Sequence, residues 1–292
     1  PYRTPESFGN PFADDPLPDW PTEATRQRDW NRPGQHSPQE VIGFQEKPNW
    51  VNRPNYPRQP FQLRNMEDVR QQIDGYDVGI RYADAHVGRI LDYLADRDLL
   101  DDTAVIVSAD HGECFGEMGV WGDHQTADQV TCRLPLLFRW PGLTESLADR
   151  PADGLVYHFD FAATAIKLAG GSVPDNWHAR SFAEHIQSGR TEAIGRDQLV
   201  LAQGAHVCQR SVRWGDHLYI RTYHDGFHDF PEDLLYNVAD DPHEESNLAP
   251  SQSRALEDAR ARLDAWTDSM RRHNPNREDP FDTVLAEGGP FH

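Results

Sequence analysis

The strongest constraint on the fold is an apolar run that ends in a carboxylate and an imidazole. Residues 103–107 have the character of a buried strand, and the sequence SADHGE follows at 108–113. In open α/β sheets, ligands bind just beyond the carboxyl ends of the strands. Oxygen and nitrogen donors at such a position suit a divalent cation. An Asp and a His before a glycine also form ordinary turns, so this motif alone leaves both interpretations open.

A long amphipathic helix is predicted before this strand. Apolar residues recur every three or four positions from Met66 onward, at Val69, Ile73, Tyr76, Ile80, Ala83, Val87, Ile90 and Leu94. This spacing predicts one helix of about 30 residues. A helix followed by a strand is the unit from which parallel sheets are built. The sequence therefore predicts an α/β fold, with part of a mostly parallel sheet flanked by helices.

The pattern changes on either side of this central region. Residues 1–60 hold 12 of the 22 prolines, which predicts an irregular strap without regular helix. After residue 190, a strand at 198–202, a hairpin around residues 214–216 and a final helix at 253–272 are predicted. We expect residues 61–190 to belong to the larger α/β domain and residues 191–292 to form a smaller α+β C-terminal subdomain.

Charge and cysteine content exclude several classes of protein. The formal net charge is −20, and Lys47 and Lys167 are the two lysines. Such a chain is unsuited to nucleic acid or to an anionic membrane. Three cysteines at irregular spacing favour reduced thiols over a disulfide framework or a zinc cluster. No stretch has the length of a membrane helix or the pattern of a signal peptide, so a soluble chain of unknown location is expected. The first residue is a proline, and an upstream segment is expected.

Two segments resemble the sulfatase family of the alkaline-phosphatase superfamily. DHGECFGEMGVWGDHQTADQVTCRLPLLFRWPG, at 110–142, resembles the family's metal-site strand, loop and next strand. DLLYNVADDP at 233–242, followed by EESNLA at 244–249, resembles a second family segment. The resemblance covers roughly residues 66–270 and identifies the chain as a sulfatase relative.

The resemblance implies a role for three residues. Asp110 and His111 would be metal ligands, with calcium favoured and magnesium or manganese left open. His124 stands where the family commonly has Gly-Lys-His, but here the preceding residue is Asp123. An aspartate cannot act as a cationic clamp. Either His124 contacts the sulfate and donates the proton, or the cation comes from elsewhere. Structural or solvated roles are expected for the other histidines that we considered, His158, His206, His217, His224 and His228.

The family's nucleophile has no counterpart among the cysteines of this chain. Sulfatases of this type mature a cysteine or serine in C/S-x-P/A-x-R to formylglycine, and none of Cys114, Cys132 and Cys208 lies in such a motif. The early strand with paired aspartates is missing as well. We therefore predict the C-terminal part of a metal-dependent sulfatase that hydrolyses sulfate monoesters of a small molecule or carbohydrate. It would need the missing N-terminal half and be inactive alone.

Two alternatives to this prediction stay open. A phosphonate or phosphate ester hydrolase of the same superfamily would use the same metal-binding end. The chain could instead be a non-catalytic partner subunit, either truncated or a pseudoenzyme.

Overall fold

The computed structural model describes residues 4–34, 36–38, 40–41, 49–50, 58–192 and 194–290, with backbone alone at 40–41 and 49–50. The helices are α1 (Glu23–Trp30), α2 (Met66–Ala95), α3 (Gln129–Cys132), α4 (His158–Leu168), α5 (Ala183–Gln187), α6 (Ser253–His273) and α7 (Pro280–Ala286). The strands are β1 (Glu40–Val41), β2 (Asn49–Trp50), β3 (Val105–Ser108), β4 (Cys114–Phe115), β5 (Trp121–Asp123), β6 (Leu136–Arg139), β7 (Gly154–Leu155), β8 (Ile194–Gly195), β9 (Gln198–Gln203), β10 (Cys208–Trp214), β11 (His217–His224) and β12 (Asp233–Asn237).

Helix α2 forms where the apolar periodicity predicts it. The side chain of Asn65 caps its first turn by accepting from the amides of Glu67 and Asp68, at 2.9 and 3.0 Å. The N-terminal half is packed, with Val69 and Val78 buried, whereas Ile90 in the C-terminal half is 61% exposed. The predicted apolar face is therefore buried only along the N-terminal half of the helix.

The strand that carries the Asp-His pair has an antiparallel neighbour. Strand β3 pairs with β6, from Val105 opposite Arg139 to Ser108 opposite Leu136. Among the described strands, only β7 and β8 are parallel. The predicted mostly parallel sheet is thus not seen in the described residues, and the fold is better described as mixed α/β with several small sheets. Apolar side chains on β3 and β6 stay in contact with solvent, Ile106 at 44%, Val107 at 39% and Leu137 at 61%.

The C-terminal part is built on a four-stranded antiparallel sheet in the order β12-β11-β10-β9. The predicted hairpin is present as β10 and β11, joined through Gly215 at a φ of +47°. Side chains alternate between the faces of a strand. Tyr219 packs toward helix α6 with Leu263, whereas Leu218 packs with Ala127 from the segment that follows β5. The sheet therefore supports α6 on one face and the loop region after β3 on the other.

The prediction that the first 60 residues contain no regular helix is wrong. Helix α1 lies in a stretch without proline between Pro21 and Pro33. Thr22 caps it by accepting from the amide of Thr25 at 3.1 Å. Proline disrupts a helix only near its own position, so the residues between Pro21 and Pro33 can form two helical turns. Much of residues 39–57 lies outside the described part, and the strap prediction is untested there.

Two further sequence predictions concern chemistry. The three cysteines are free thiols, as expected. No helix in the described part of the chain combines the length and apolar character needed to cross a bilayer.

Candidate functional site

The Asp-His pair follows directly after β3. Ser108, the last residue of the strand, donates its hydroxyl to the carbonyl of Pro135 at 2.7 Å and lies 3.0 Å from Nε2 of His158. These contacts fix the end of β3 against the start of β6. The Asp110 side chain is 90% exposed, and its Oδ1 accepts the amide of His111 at 3.1 Å. Hydrogen bonds from its own amide, followed by the nearby His111 side chain, lower the pKa of this carboxyl group.

His111 has one ring nitrogen available for a ligand. Its Nδ1 lies 2.8 Å from the carbonyl oxygen of Gly112. A carbonyl oxygen can only accept, so Nδ1 carries a proton, and in the neutral imidazole Nε2 is the nitrogen with the lone pair. The Nε2 atom lies 3.8 Å from Oδ2 of Asp110. Metal-binding histidines commonly show this tautomer, with the N–H of the other ring nitrogen bonded to a backbone carbonyl.

A short hairpin brings Glu113 and His124 to the same place. Strands β4 and β5 pair antiparallel with Cys114 opposite Asp123. Continuing this register by one residue places Glu113 opposite His124. The loop before the hairpin is held by the amide of Gly112, which donates to the carbonyl of Thr131 at 2.8 Å.

The rings of His111 and His124 stack on each other. Their centroids are 3.5 Å apart and the planes differ by 21°. Together with Glu113 they place one ligand atom each within 4.8 Å of the others. All three residues are partly buried. The structure thus joins His124 to a predicted metal ligand and adds Glu113, which sequence reasoning did not select.

The electrostatics of this cluster follow from its burial. Desolvation raises the pKa of Glu113 to about 7, and the nearby Asp123 carboxylate adds to this effect. Desolvation also lowers the pKa of His124, against an opposing influence from Asp123. His111 and His206 favour the neutral form of His124 as well. The cluster therefore disfavours charge on Glu113 and His124.

Asp123 is held by a buried hydrogen-bond chain. Its Oδ1 accepts the amide of His124 at 2.7 Å and lies 3.4 Å from Nδ1 of the same residue. Its Oδ2 accepts from Nε2 of Gln125 at 2.7 Å, and Oε1 of Gln125 lies 2.9 Å from Nε2 of His228. Asp123 is therefore held in place by two hydrogen bonds. His228 is the buried end of this chain of contacts.

An open cleft beside the cluster is lined by Asp110, His111 and His124. Six arginines and six acidic residues lie in its wall, so their formal charges cancel. The arginines are Arg133, Arg139, Arg150, Arg190, Arg196 and Arg213. The wall therefore carries several guanidinium groups but no net positive charge.

Comparison with known proteins points to one family. The family model described as Sulfatase matches residues 11–172, more than half of the chain. The model described as N-sulphoglucosamine sulphohydrolase, C-terminal, matches residues 116–269.

Curated relatives match over most of this chain but over less than half of their own length. An N-acetylglucosamine-6-O-sulfatase from Bacteroides thetaiotaomicron is 25% identical over 75% of this chain and 39% of its own length. A choline-sulfatase from Rhizobium meliloti is 28% identical over 76% of this chain and 41% of its own length. The chain therefore spans about two-fifths of these relatives.

Solved structures share the fold. The structure of BT4656 in complex with its substrate D-glucosamine-2-N,6-O-disulfate superposes with a TM-score of 0.63, at 21% identity, over 73% of this chain and 44% of the other. A phosphonate monoester hydrolase of Agrobacterium radiobacter gives a TM-score of 0.55 at 22% identity, over 72% of this chain and 43% of the other.

Proposed function

Because the chain belongs to the sulfatase family, we propose that it forms the C-terminal, metal- and substrate-binding part of a hydrolase that cleaves sulfate monoesters. The observation that carries the proposal is the pair after β3, where Nε2 of His111 keeps its lone pair 3.8 Å from the Asp110 carboxylate. Curated relatives named N-acetylglucosamine-6-O-sulfatase and choline-sulfatase support a sulfate ester of a carbohydrate or small molecule as the substrate.

Asp110 and His111 would hold a divalent cation. The Asp110 carboxylate and the His111 imidazole are ligands that fit such an ion. Nδ1 of His111 is bonded to the Gly112 carbonyl, which leaves Nε2 for the ion. We favour Ca²⁺, with Mg²⁺ and Mn²⁺ as the alternatives that these donors allow. A bound cation at this position would polarise the ester oxygens.

His124 would contact the substrate. It stacks on His111 and faces the cleft, so a ring N–H can reach the sulfate group or the leaving oxygen beside the cation. A bound sulfate anion would favour the imidazolium form of His124, which would then also supply the proton of the leaving alcohol. Asp123 cannot replace the family lysine, and the arginines of the cleft wall are the remaining cations for the sulfate.

The nucleophile and further metal ligands would come from a preceding part of the protein. The chain spans 39% and 41% of the two curated relatives, and none of its three cysteines lies in a C-x-P/A-x-R segment. The exposed apolar side chains Ile106, Val107 and Leu137 lie on β3 and β6, where further strands of a parallel sheet would pack. The chain would then be inactive by itself, and formylglycine would lie upstream.

The first test is the intact mass and peptide map of the protein from its natural source. A heavier product with an upstream cysteine or serine converted to formylglycine supports the proposal. A product that begins at Pro1, without activity after addition of the family's N-terminal half, would overturn it in favour of a non-catalytic subunit.

The second test separates the two ester classes and checks the residues. The complete protein would be assayed on an aryl sulfate and on an aryl phosphonate monoester, with and without a chelator. The fold shared with the phosphonate monoester hydrolase is the reason for including the second substrate. We expect faster sulfate hydrolysis, lost in Asp110→Asn, His111→Gln and His124→Gln. His86→Gln, on the exposed face of α2, serves as the control. Faster phosphonate hydrolysis would favour the alternative.

A further inference from the structure

A second set of metal donors lies beside the Asp110–His111 pair. The ligand atoms of His111, Glu113 and His124 are within 4.8 Å of one another. Two imidazole nitrogens and one carboxylate oxygen are the protein ligands of many zinc sites, whereas calcium takes oxygen ligands. We propose that these three residues, called here the His-Glu-His triad, bind a transition-metal ion of the Zn²⁺ or Co²⁺ class.

The backbone prepares the triad for this role. The pairing of Cys114 with Asp123 fixes the hairpin that carries Glu113 and His124. On the other side, the amide of Gly112 donates to Thr131, and a Cβ on this glycine would lie 1.9 Å from the carbonyl oxygen of Val130. The loop that carries His111 is therefore held tightly against α3. The donors therefore stand on anchored backbone, and only their side chains would have to move on binding.

The two imidazoles present suitable nitrogen atoms. Nδ1 of His111 donates to the Gly112 carbonyl, which leaves Nε2 as the ligand atom. Nδ1 of His124 is shielded from solvent and has no hydrogen-bond partner in the described part of the chain. Oδ1 of Asp123 lies 3.4 Å from this nitrogen. A metal ion would satisfy this buried nitrogen.

Binding would require side-chain rotation. Ligands around a tetrahedral zinc ion lie about 2.0–2.2 Å from the metal and so about 3.4 Å from each other. The triad must therefore contract, and the stacked rings must turn their edges toward the ion. Since His111 has only Nε2 to offer, it cannot serve a cation with Asp110 and the triad ion at the same time. The two sites would exclude each other.

The triad is tested by titrating the purified chain with Co²⁺ and following the visible absorption bands of the bound ion. We expect one Co²⁺ per chain with bands typical of nitrogen ligands, displaced by Zn²⁺. Glu113→Gln and His124→Gln should each weaken Co²⁺ binding by at least about tenfold. Circular dichroism of each variant verifies that the fold is retained. His111→Gln should abolish the spectrum.

Two control variants decide where the ion lies. Asp110→Asn should leave the Co²⁺ affinity within about twofold, and His86→Gln should leave it unchanged. Co²⁺ binding that survives Glu113→Gln and His124→Gln but is lost in Asp110→Asn would overturn the triad. The inference does not rest on ester hydrolysis, because the binding is measured without substrate and without the rest of the enzyme.

Discussion

Asp160 binds the guanidinium group of Arg196 through both carboxylate oxygens, with the aspartate side chain fully buried and the arginine 11% exposed. The carboxylate also accepts the amides of Tyr157, at 2.9 Å, and Arg180, at 2.6 Å. It therefore caps helix α4 and joins it to the residues that lead into β9. This one buried group connects the helix after β6 with the C-terminal sheet.

Replacement of Asp160 should be costly because the arginine would stay buried without its charge partner. We expect Asp160→Asn to lower the free energy of unfolding by about 3–5 kcal/mol. Urea denaturation measures this loss. The matched control is Asp258→Asn, which removes an exposed carboxylate paired with Arg262 one helical turn away. That control should cost no more than about 0.5 kcal/mol. Equal losses in both variants would contradict the role of the buried pair.

Acid should destabilise the protein through His228. This side chain is 6% exposed, and burial lowers its pKa to about 3 from an ordinary value of 6.5. Below pH 6.5, His228 therefore becomes protonated in the unfolded chain but stays neutral in the folded chain. Stability is lost as the pH falls through this window, by about 1.4 kcal/mol per pH unit for this group.

The variant His228→Gln keeps an amide donor toward Gln125 but cannot be protonated. Urea midpoints of both proteins between pH 4 and 7.5 give the comparison. We expect the difference in stability between wild type and variant to change steadily below pH 6.5 in favour of the variant. A constant difference across this range would show that His228 does not resist protonation.

A rise in pH from 5 to 8 should destabilise the protein through Glu244. Glu244 is 3% exposed. Its Oε1 accepts the amide of Gln129 at 2.8 Å, and its Oε2 has no hydrogen-bond partner within the described structure. Burial first, and then the Asp128 carboxylate, raise the pKa of Glu244 well above 4.5. The stabilising contribution is present below pH 4.5 and is lost as the pH rises toward the folded pKa. Glu244→Gln should therefore lose less stability than wild type between pH 5 and 8. Parallel urea midpoints over that range would disprove this.

Local signals in the sequence predicted local structure. The periodic apolar residues predicted α2, and the residues around Gly215 predicted the β10–β11 hairpin, because both depend on neighbours in the chain. Helix α1 was missed because proline content was averaged over 60 residues, although the capping residue Thr22 was a usable signal.

Pairing between distant residues could not be predicted in the same way. The antiparallel register of β3 and β6 joins segments about 30 residues apart, and no local pattern specifies it. The position of Glu113 beside His124 depends on strands of two and three residues, too short for an alternating pattern. Family resemblance located His111 and His124, but their adjacency to Glu113 required the fold.

The exposed apolar residues on α2, β3 and β6 should bind a hydrophobic dye. Ile80 and Ile90 are 55% and 61% exposed, and Leu137 is 61% exposed. If these residues await a further part of the protein, the chain alone should enhance the fluorescence of an anilinonaphthalene sulfonate dye. Replacing Ile90 and Leu137 by Gln should reduce the fluorescence. No enhancement of the dye fluorescence by the wild-type chain would count against a missing partner.

Gly112 should tolerate no side chain. A Cβ at this position would lie 1.9 Å from the carbonyl oxygen of Val130, so Gly112→Ala must push the loop away from α3 and move His111 from His124. We expect a loss of about 2–4 kcal/mol in the free energy of unfolding, in the range of overpacked buried sites. The control is Gly79→Ala in the middle of α2, where nothing lies within 4 Å of the added Cβ. That substitution should stabilise the chain by about 0.5–1 kcal/mol through helix propensity. Urea denaturation compares the two, and a Gly112→Ala variant as stable as wild type would show that the loop can move without cost.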